Sequence, residues 1–133
     1  MVPTRNPGAL WPRWLKALHL QALGGGGAPT GVVVDSASTD GTRFDDLPVG
    51  WQLLPIDVTD FNHGGTRNLA LRHLPADTDV VVFMTQDALL ADAGAVKALG
   101  AAFADPEVAC AYGRQLPHAD ATPIAAHAQI GRA

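Results

Sequence analysis

Two runs of consecutive valines limit what this chain can fold into. "GVVVD" at 31 to 35 and "DVVVFMT" at 79 to 85 are continuous apolar segments rather than alternating ones. A strand built from either must be covered on both faces, as strands of a parallel sheet in an α/β protein are. Both are therefore expected as central strands.

The segments around them supply the cover. Trp11, Trp14, Leu15, Leu18 and Ala22 recur at helical spacing, with Pro12 suited to a first turn and the glycine run 24 to 27 ending the pattern. "WQLLPI" at 51 to 56 reads as a further strand. "TRNLALRHL" at 66 to 74 reads as a helix capped by Thr66 or by the glycines before it. "AGAVKALGAAF" at 93 to 103 predicts another helix, and "VACAY" at 108 to 112 a last strand. Strand and helix alternate, which predicts a three-layer α/β/α sandwich with a mainly parallel sheet and right-handed crossovers. Only "MV" precedes "PTRNPG", so a first strand there is very short, and "HADATPIAAHAQIGRA" closes the sequence without a sheet-forming segment. The pattern is that of one partial domain over 1–133, incomplete at its C-terminus, with no internal repeat.

Composition removes several function classes. At 133 residues, 47% apolar and 17% charged, the chain suits a packed core and not a disordered polymer. Nine Lys plus Arg against thirteen Asp plus Glu give a net charge of -4, with no basic field for a nucleic acid. No apolar run approaches the roughly 20 residues of a membrane span. Cys110 is a single cysteine in an apolar run, expected as a small buried hydrophobe in a cytoplasmic protein.

In open parallel sheets ligands sit at the carboxyl ends of the strands, so the polar residues that follow each apolar run form the candidate site. These are Thr4, Arg5 and Asn6; Asp35, Ser36 and Ser38; Gln86 and Asp87; and Arg114 with Gln115. Asp35 and the "STDGT" that follows it, with Asp40, suit a ligand loop and equally a tight turn. Asp87 ends the most apolar run and is placed to hold a hard cation such as Mg²⁺, or to cap the segment after it. "FNHGGTRN" at 61 to 68 sets two glycines and Arg67 at a helix start, where main-chain N–H groups can approach an anion. His63 in that loop is either a proton carrier or a loop-closing side chain, while His19, His73, His118 and His127 share no metal-ligand spacing. The glycine run precedes its strand and no G-x-G-x-x-G follows "VVVD", against a dinucleotide fold; no P-loop sequence occurs.

Taken in order, "PTRNPG", "VVVDSASTDGT", "FNHGGTRNLAL", "VVFMTQDALLAD" and "YGRQLP" resemble the family 2 glycosyltransferases of the GT-A fold, and within them the bacterial rhamnosyltransferase-type subgroup. The resemblance covers nearly the whole chain. It implies a nucleotide-diphosphate-sugar donor (a dTDP- or UDP-sugar), inverting transfer of a sugar such as rhamnose to a sugar or lipid-linked acceptor hydroxyl, and Mg²⁺ or Mn²⁺ bridging the diphosphate. Carried over residue by residue, Thr4 and Asn6 match the first donor-binding loop, Asp35 the acid that meets the pyrimidine, Arg67 the base- or phosphate-contacting arginine, and Asp87 the metal-binding acid. Arg5, Ser36, Ser38, Asp40 and Gln86 complete the donor-site set. Gln86 stands where many relatives have an acid, which implies weak metal binding.

Relatives of that family carry roughly a further hundred residues after the segment matching "GRQLP". Those residues hold the acceptor site and the base, and no residue here matches that base. The resemblance therefore implies the donor-binding half of a cytoplasmic enzyme of cell-surface polysaccharide or glycolipid synthesis, acting at the inner face of the membrane, with self-association over the apolar surface left uncovered. The competing expectation is a catalytically incomplete nucleotide-binding or interaction module. A nucleotidyltransferase-like fold would need a phosphate-activating basic motif near the N-terminus, and "PTRNPG" offers only Arg5.

Overall fold

The structure, a computed structural model, describes residues 1–21, 27–117 and 122–124. Ala22, the glycines 24 to 26, His118, His127 and most of the closing segment lie outside them. The chain forms two compact units, Met1–Ala98 and Leu99–Ala133.

The first unit is built on three parallel strands, β1 (Val2–Thr4), β2 (Gly31–Asp35) and β3 (Trp51–Pro55), in the order β1-β2-β3. The β2 residues are all buried, as the valine run requires, and its two edges are paired in register, Val2 with Val33 and Val33 with Leu53. Gly31 is where β3 comes closest: a Cβ there would stand 2.8 Å from the Trp51 ring.

Alternation along the strands sends side chains to two separate cores. Val2 and Val33 pack with Trp11, Trp14, Leu15 and Leu18 of α1 (Leu10–His19). Met1, Val32 and Val34 pack with Ala70 of α2 (His63–Leu71) on the other face. Helices thus cover both faces of a parallel sheet, the expected α/β arrangement. The α1 stripe is the one its sequence spacing predicts, and Pro12 sits in its first turn. Trp11 stacks on Trp14 with ring centroids 5.1 Å apart, and Trp14 meets Trp51 edge-on at 5.8 Å. Beyond the helix, the buried Gln21 donates to the main-chain oxygens of Ala17 and Asp92 and accepts from the Val96 N–H, fastening α1 to the start of α3 (Ala95–Ala101).

Three expectations are corrected. Helix α2 starts at His63, three residues before the expected start, because Asn62 is the cap: its Oδ1 accepts from the Gly65 N–H, while Thr66 Oγ1 accepts from the Asn62 N–H from inside the helix. The run 79 to 85 is not a strand. Its main chain is bonded at Met1, just before β1, whose ammonium donates to Val82 O at 2.7 Å and whose carbonyl accepts from Met84 N at 3.0 Å, and no ladder continues from there. The reason lies in β1. Ser36 N donates to Thr4 O, so Thr4 faces β2 and, by alternation, Pro3 faces the 79–85 side, where it has no N–H to give. Val80 and Phe83 stay 40% and 50% exposed there.

The second unit holds the third correction. After the end of α3 and a 3₁₀ turn at Ala102–Ala104, residues 108 to 117 are neither helix nor strand, and Cys110 is exposed. "VACAY" finds no partner strand among the described residues, and without one its main chain has no ladder to join.

The packing sets two measurable costs. Trp14→Ala removes the largest fully buried side chain and is expected to lower the unfolding free energy by about 3–5 kcal/mol in urea titrations. Gly31→Ala forces a methyl against the Trp51 ring and is expected to cost about 1–3 kcal/mol in the same measurement.

Candidate functional site

The carboxyl ends of β1 and β2 and the start of α2 converge on a cleft of about 360 Å³. Pro3, Val58 and Phe61 give it apolar walls; Thr4, Arg5, Ser36, His63, Arg67 and Gln86 supply the polar groups. Its place is the one expected for an open parallel sheet. No Asp or Glu is among its lining residues, although the chain as a whole carries a net charge of -4.

The candidate residues divide into two groups. Asp35, Ser38, Asn6 and Asp40 serve each other. The Asp35 carboxylate is buried and accepts from both the N–H and the hydroxyl of Ser38. That commits the single Ser38 proton, so toward Asn6 the hydroxyl can only accept, which it does from Asn6 N at 2.8 Å. Asn6 Oδ1 in turn accepts from Thr39 N at 2.7 Å, with Asn6 held at φ 49°, a left-handed conformation that asparagine tolerates. Farther along, Asp40 Oδ2 accepts from Gly8 N at 2.8 Å, and its other oxygen from Thr42 N at 3.0 Å. The Thr42 hydroxyl first, and then the Thr42 and Gly8 N–H groups, hold the Asp40 carboxyl below the usual carboxylate range. The "TRNPG" and "DSASTDGT" loops are thereby laced together.

Thr4, Arg5, Ser36, Arg67 and Gln86 face the cleft instead. Thr4 is buried and donates its hydroxyl proton to Gln86 Oε1 at 2.7 Å. The same oxygen accepts from Arg5 N at 2.7 Å, and Gln86 Nε2 donates back to Arg5 O at 3.1 Å. Arg67 Nη1 donates to the His63 carbonyl at 2.8 Å, one turn up its own helix. Ser36 is 1% exposed, and its hydroxyl has no hydrogen-bond partner among the described residues. Asp87 follows Gln86 as an exposed carboxylate and is not one of the cleft-lining residues. Among the described residues no three His, Cys, Asp or Glu side chains gather as a metal cluster. Arg114 and Gln115 belong to the second unit.

Sequence reasoning left His63 open and passed over Phe61 and Val58. His63 lines the cleft and meets Phe61 edge-on, ring centroids 5.2 Å apart. The available signal was their position: aromatic and branched residues in a loop that caps a helix have little to pack on unless a cavity gathers them.

Compared with known proteins, the chain matches no family model and no solved structure. It is similar to two curated bacterial proteins. The O-antigen chain rhamnosyltransferase RfbN of Salmonella typhimurium is 46% identical over 135 residues, covering 97% of this chain. The O-antigen chain rhamnosyltransferase WbaN of Salmonella anatum is 41% identical over 131 residues, again covering 97% of it. The chain spans 40% of the length of each. No helix among the described residues is long and apolar enough to cross a membrane.

The loop lacing predicts the behaviour of one substitution. Ser38→Ala deprives the buried Asp35 carboxylate of one of its two donors and leaves the Asn6 N–H without its acceptor. The expected loss is about 1–3 kcal/mol in urea unfolding, with the Asn6 amide resonance displaced.

Proposed function

We propose that the cleft binds the diphosphate and sugar of a dTDP- or UDP-sugar, as the donor-binding part of a rhamnosyltransferase-like glycosyltransferase of polysaccharide synthesis. The observation that carries the reading is the charge of the cleft. Arg5, Arg67 and His63 meet at the carboxyl ends of parallel strands with no carboxylate among the lining residues, in an acidic chain. Such a site favours an anion with more than one oxygen to offer, and a guanidinium pairs with phosphate oxygens two at a time. The two rhamnosyltransferase relatives, similar over almost all of this chain, support the same substrate class.

On this reading Arg5 and Arg67 balance the diphosphate. Pro3, Val58 and Phe61 shelter the apolar faces of the donor, and Ser36 underlies it. The Asp35–Ser38–Asn6 network holds the two loops at the donor's edge, with Asp35 placed toward the pyrimidine. A divalent cation fits the donor set in a limited way: Asp87 offers one exposed carboxylate, and Mg²⁺ or Mn²⁺ commonly takes one or two carboxylates, with substrate phosphates and water completing the shell. Bound there, it would neutralise charge on the departing diphosphate. Inverting transfer to the hydroxyl of a sugar or lipid-linked acceptor completes the proposed reaction, in a cytoplasmic setting at the inner face of the membrane.

Calorimetry with dTDP and UDP, with and without Mn²⁺, tests the reading. Binding is expected for at least one of the two, and Arg67→Ala is expected to weaken it about tenfold or more, the scale of one charge-assisted contact. Absence of binding to either nucleotide, or equal binding by an Arg5→Ala/Arg67→Ala double variant, would remove the proposal.

A further inference from the structure

The side chain of Gln86 does work that a peptide group normally does. Pro3 is the β1 residue whose main chain faces the 79–86 segment, and it has no N–H, so the main-chain pairing begun at Met1 does not continue past it. Two residues on, the pairing is resumed by an amide of a different kind. Gln86 Oε1 accepts from Arg5 N at 2.7 Å while Gln86 Nε2 donates to Arg5 O at 3.1 Å, so one primary amide meets both polar groups of the Arg5 backbone. The same Oε1 also takes the Thr4 hydroxyl proton at 2.7 Å. Thr4 and Arg5 both line the cleft, and Arg5 is one of its two arginines.

We infer that Gln86 is a positioning residue that fixes the Arg5 backbone, and through it the Arg5 guanidinium, toward the cleft, and that it needs a neutral amide to do so. The inference rests on the reading of the cleft as a nucleotide-diphosphate site. Of the side chains that fit the space, only a group with one acceptor oxygen and one donor satisfies Thr4 Oγ1, Arg5 N and Arg5 O together. A glutamate carboxylate keeps the two incoming bonds but turns an oxygen on the Arg5 carbonyl, acceptor against acceptor. Gln86→Glu therefore keeps the bulk and loses the donor, which separates the amide from a side chain that only fills space.

The charged and titratable groups lining the same cleft are Arg5, Arg67 and His63, and Asp87 adjoins in the chain, so each variant is compared with the wild type at the same pH. At about pH 8, Gln86→Glu and Gln86→Ala are both expected to bind dTDP or UDP about tenfold more weakly than the wild type, the effect of a lost hydrogen bond to a positioned group. Both are measured without divalent cation, so that a second carboxylate beside Asp87 gathers no metal. In an Arg5→Ala background the same two substitutions are expected to weaken binding less than about twofold further, because their effect runs through Arg5. In the absence of nucleotide, the Arg5 amide resonance is expected to be displaced in both variants.

Wild-type affinity in either variant, or a further loss of about tenfold in the Arg5→Ala background, would overturn the inference. Should the wild type itself bind neither nucleotide, the cleft assignment falls. The Arg5 resonance then still decides whether the Gln86 amide holds the Arg5 backbone, because a signal unmoved by either substitution rejects that too.

Discussion

Burial of β2 on both faces is the constraint from which the rest follows. Val32, Val33 and Val34 are 0% exposed, so every N–H and C=O along them has to be paired within the protein. Strands on both edges meet that demand, and the two helices that exclude water from the faces are joined to them by the chain itself. Once β1 and β2 lie parallel and in register, Thr4 stands opposite Asp35, and the polar residues after each strand are delivered to one end of the sheet. That register brings Thr4, Arg5 and Ser36 to the cleft, and the start of α2 and Gln86 supply its other walls.

At that end the chain separates its charges. The carboxylates of Asp35 and Asp40 are turned onto main-chain N–H groups and a serine hydroxyl, where they stabilise loop geometry. The guanidinium groups of Arg5 and Arg67 have no carboxylate partner among the described ion pairs, of which the one present joins Arg43 to Asp45 in another loop. An acidic protein thus keeps a cleft free of its own negative charge. Loop rigidity and anion attraction are supplied by different residues, although the sequence motif presents them side by side.

How much of this could be seen in the residues varies with the kind of force involved. β2 was legible to the residue, because three valines in a row between Gly31 and Asp35 admit one environment. The stripe of α1 was legible for the same reason. The 79–85 run is as apolar and is not a strand, since pairing depends on the partner, and one proline in β1 removes the donor that would extend the ladder. The start of α2 was misplaced because Thr66 and Asn62 are both good capping residues; only the geometry shows that Asn62 is outside the helix and Thr66 within it. At the site, spacing could bring Asp35 and Asn6 to the same sheet end, but which hydrogen bonds they choose is a matter of ångströms. Phe61 and Val58 carried no motif at all.

Pro3 and Gln86 are best understood together. A proline in an edge-facing position usually marks where pairing stops, and stopping it frees the chain to turn away from the sheet. Here the turn begins directly, with Arg5 exposed and Asn6 already in the left-handed region. A backbone that leaves a sheet within two residues would ordinarily have its N–H and C=O satisfied by water and its side chains free to wander. A side-chain amide reaching across from residue 86 satisfies those groups at a greater distance than a neighbouring peptide could, so the chain diverges and remains fixed. That combination suits a binding site better than either a continued ladder, which would hold Arg5 in the plane of the sheet, or an open loop, whose guanidinium would have to be ordered anew, at an entropic cost, on each encounter with a ligand.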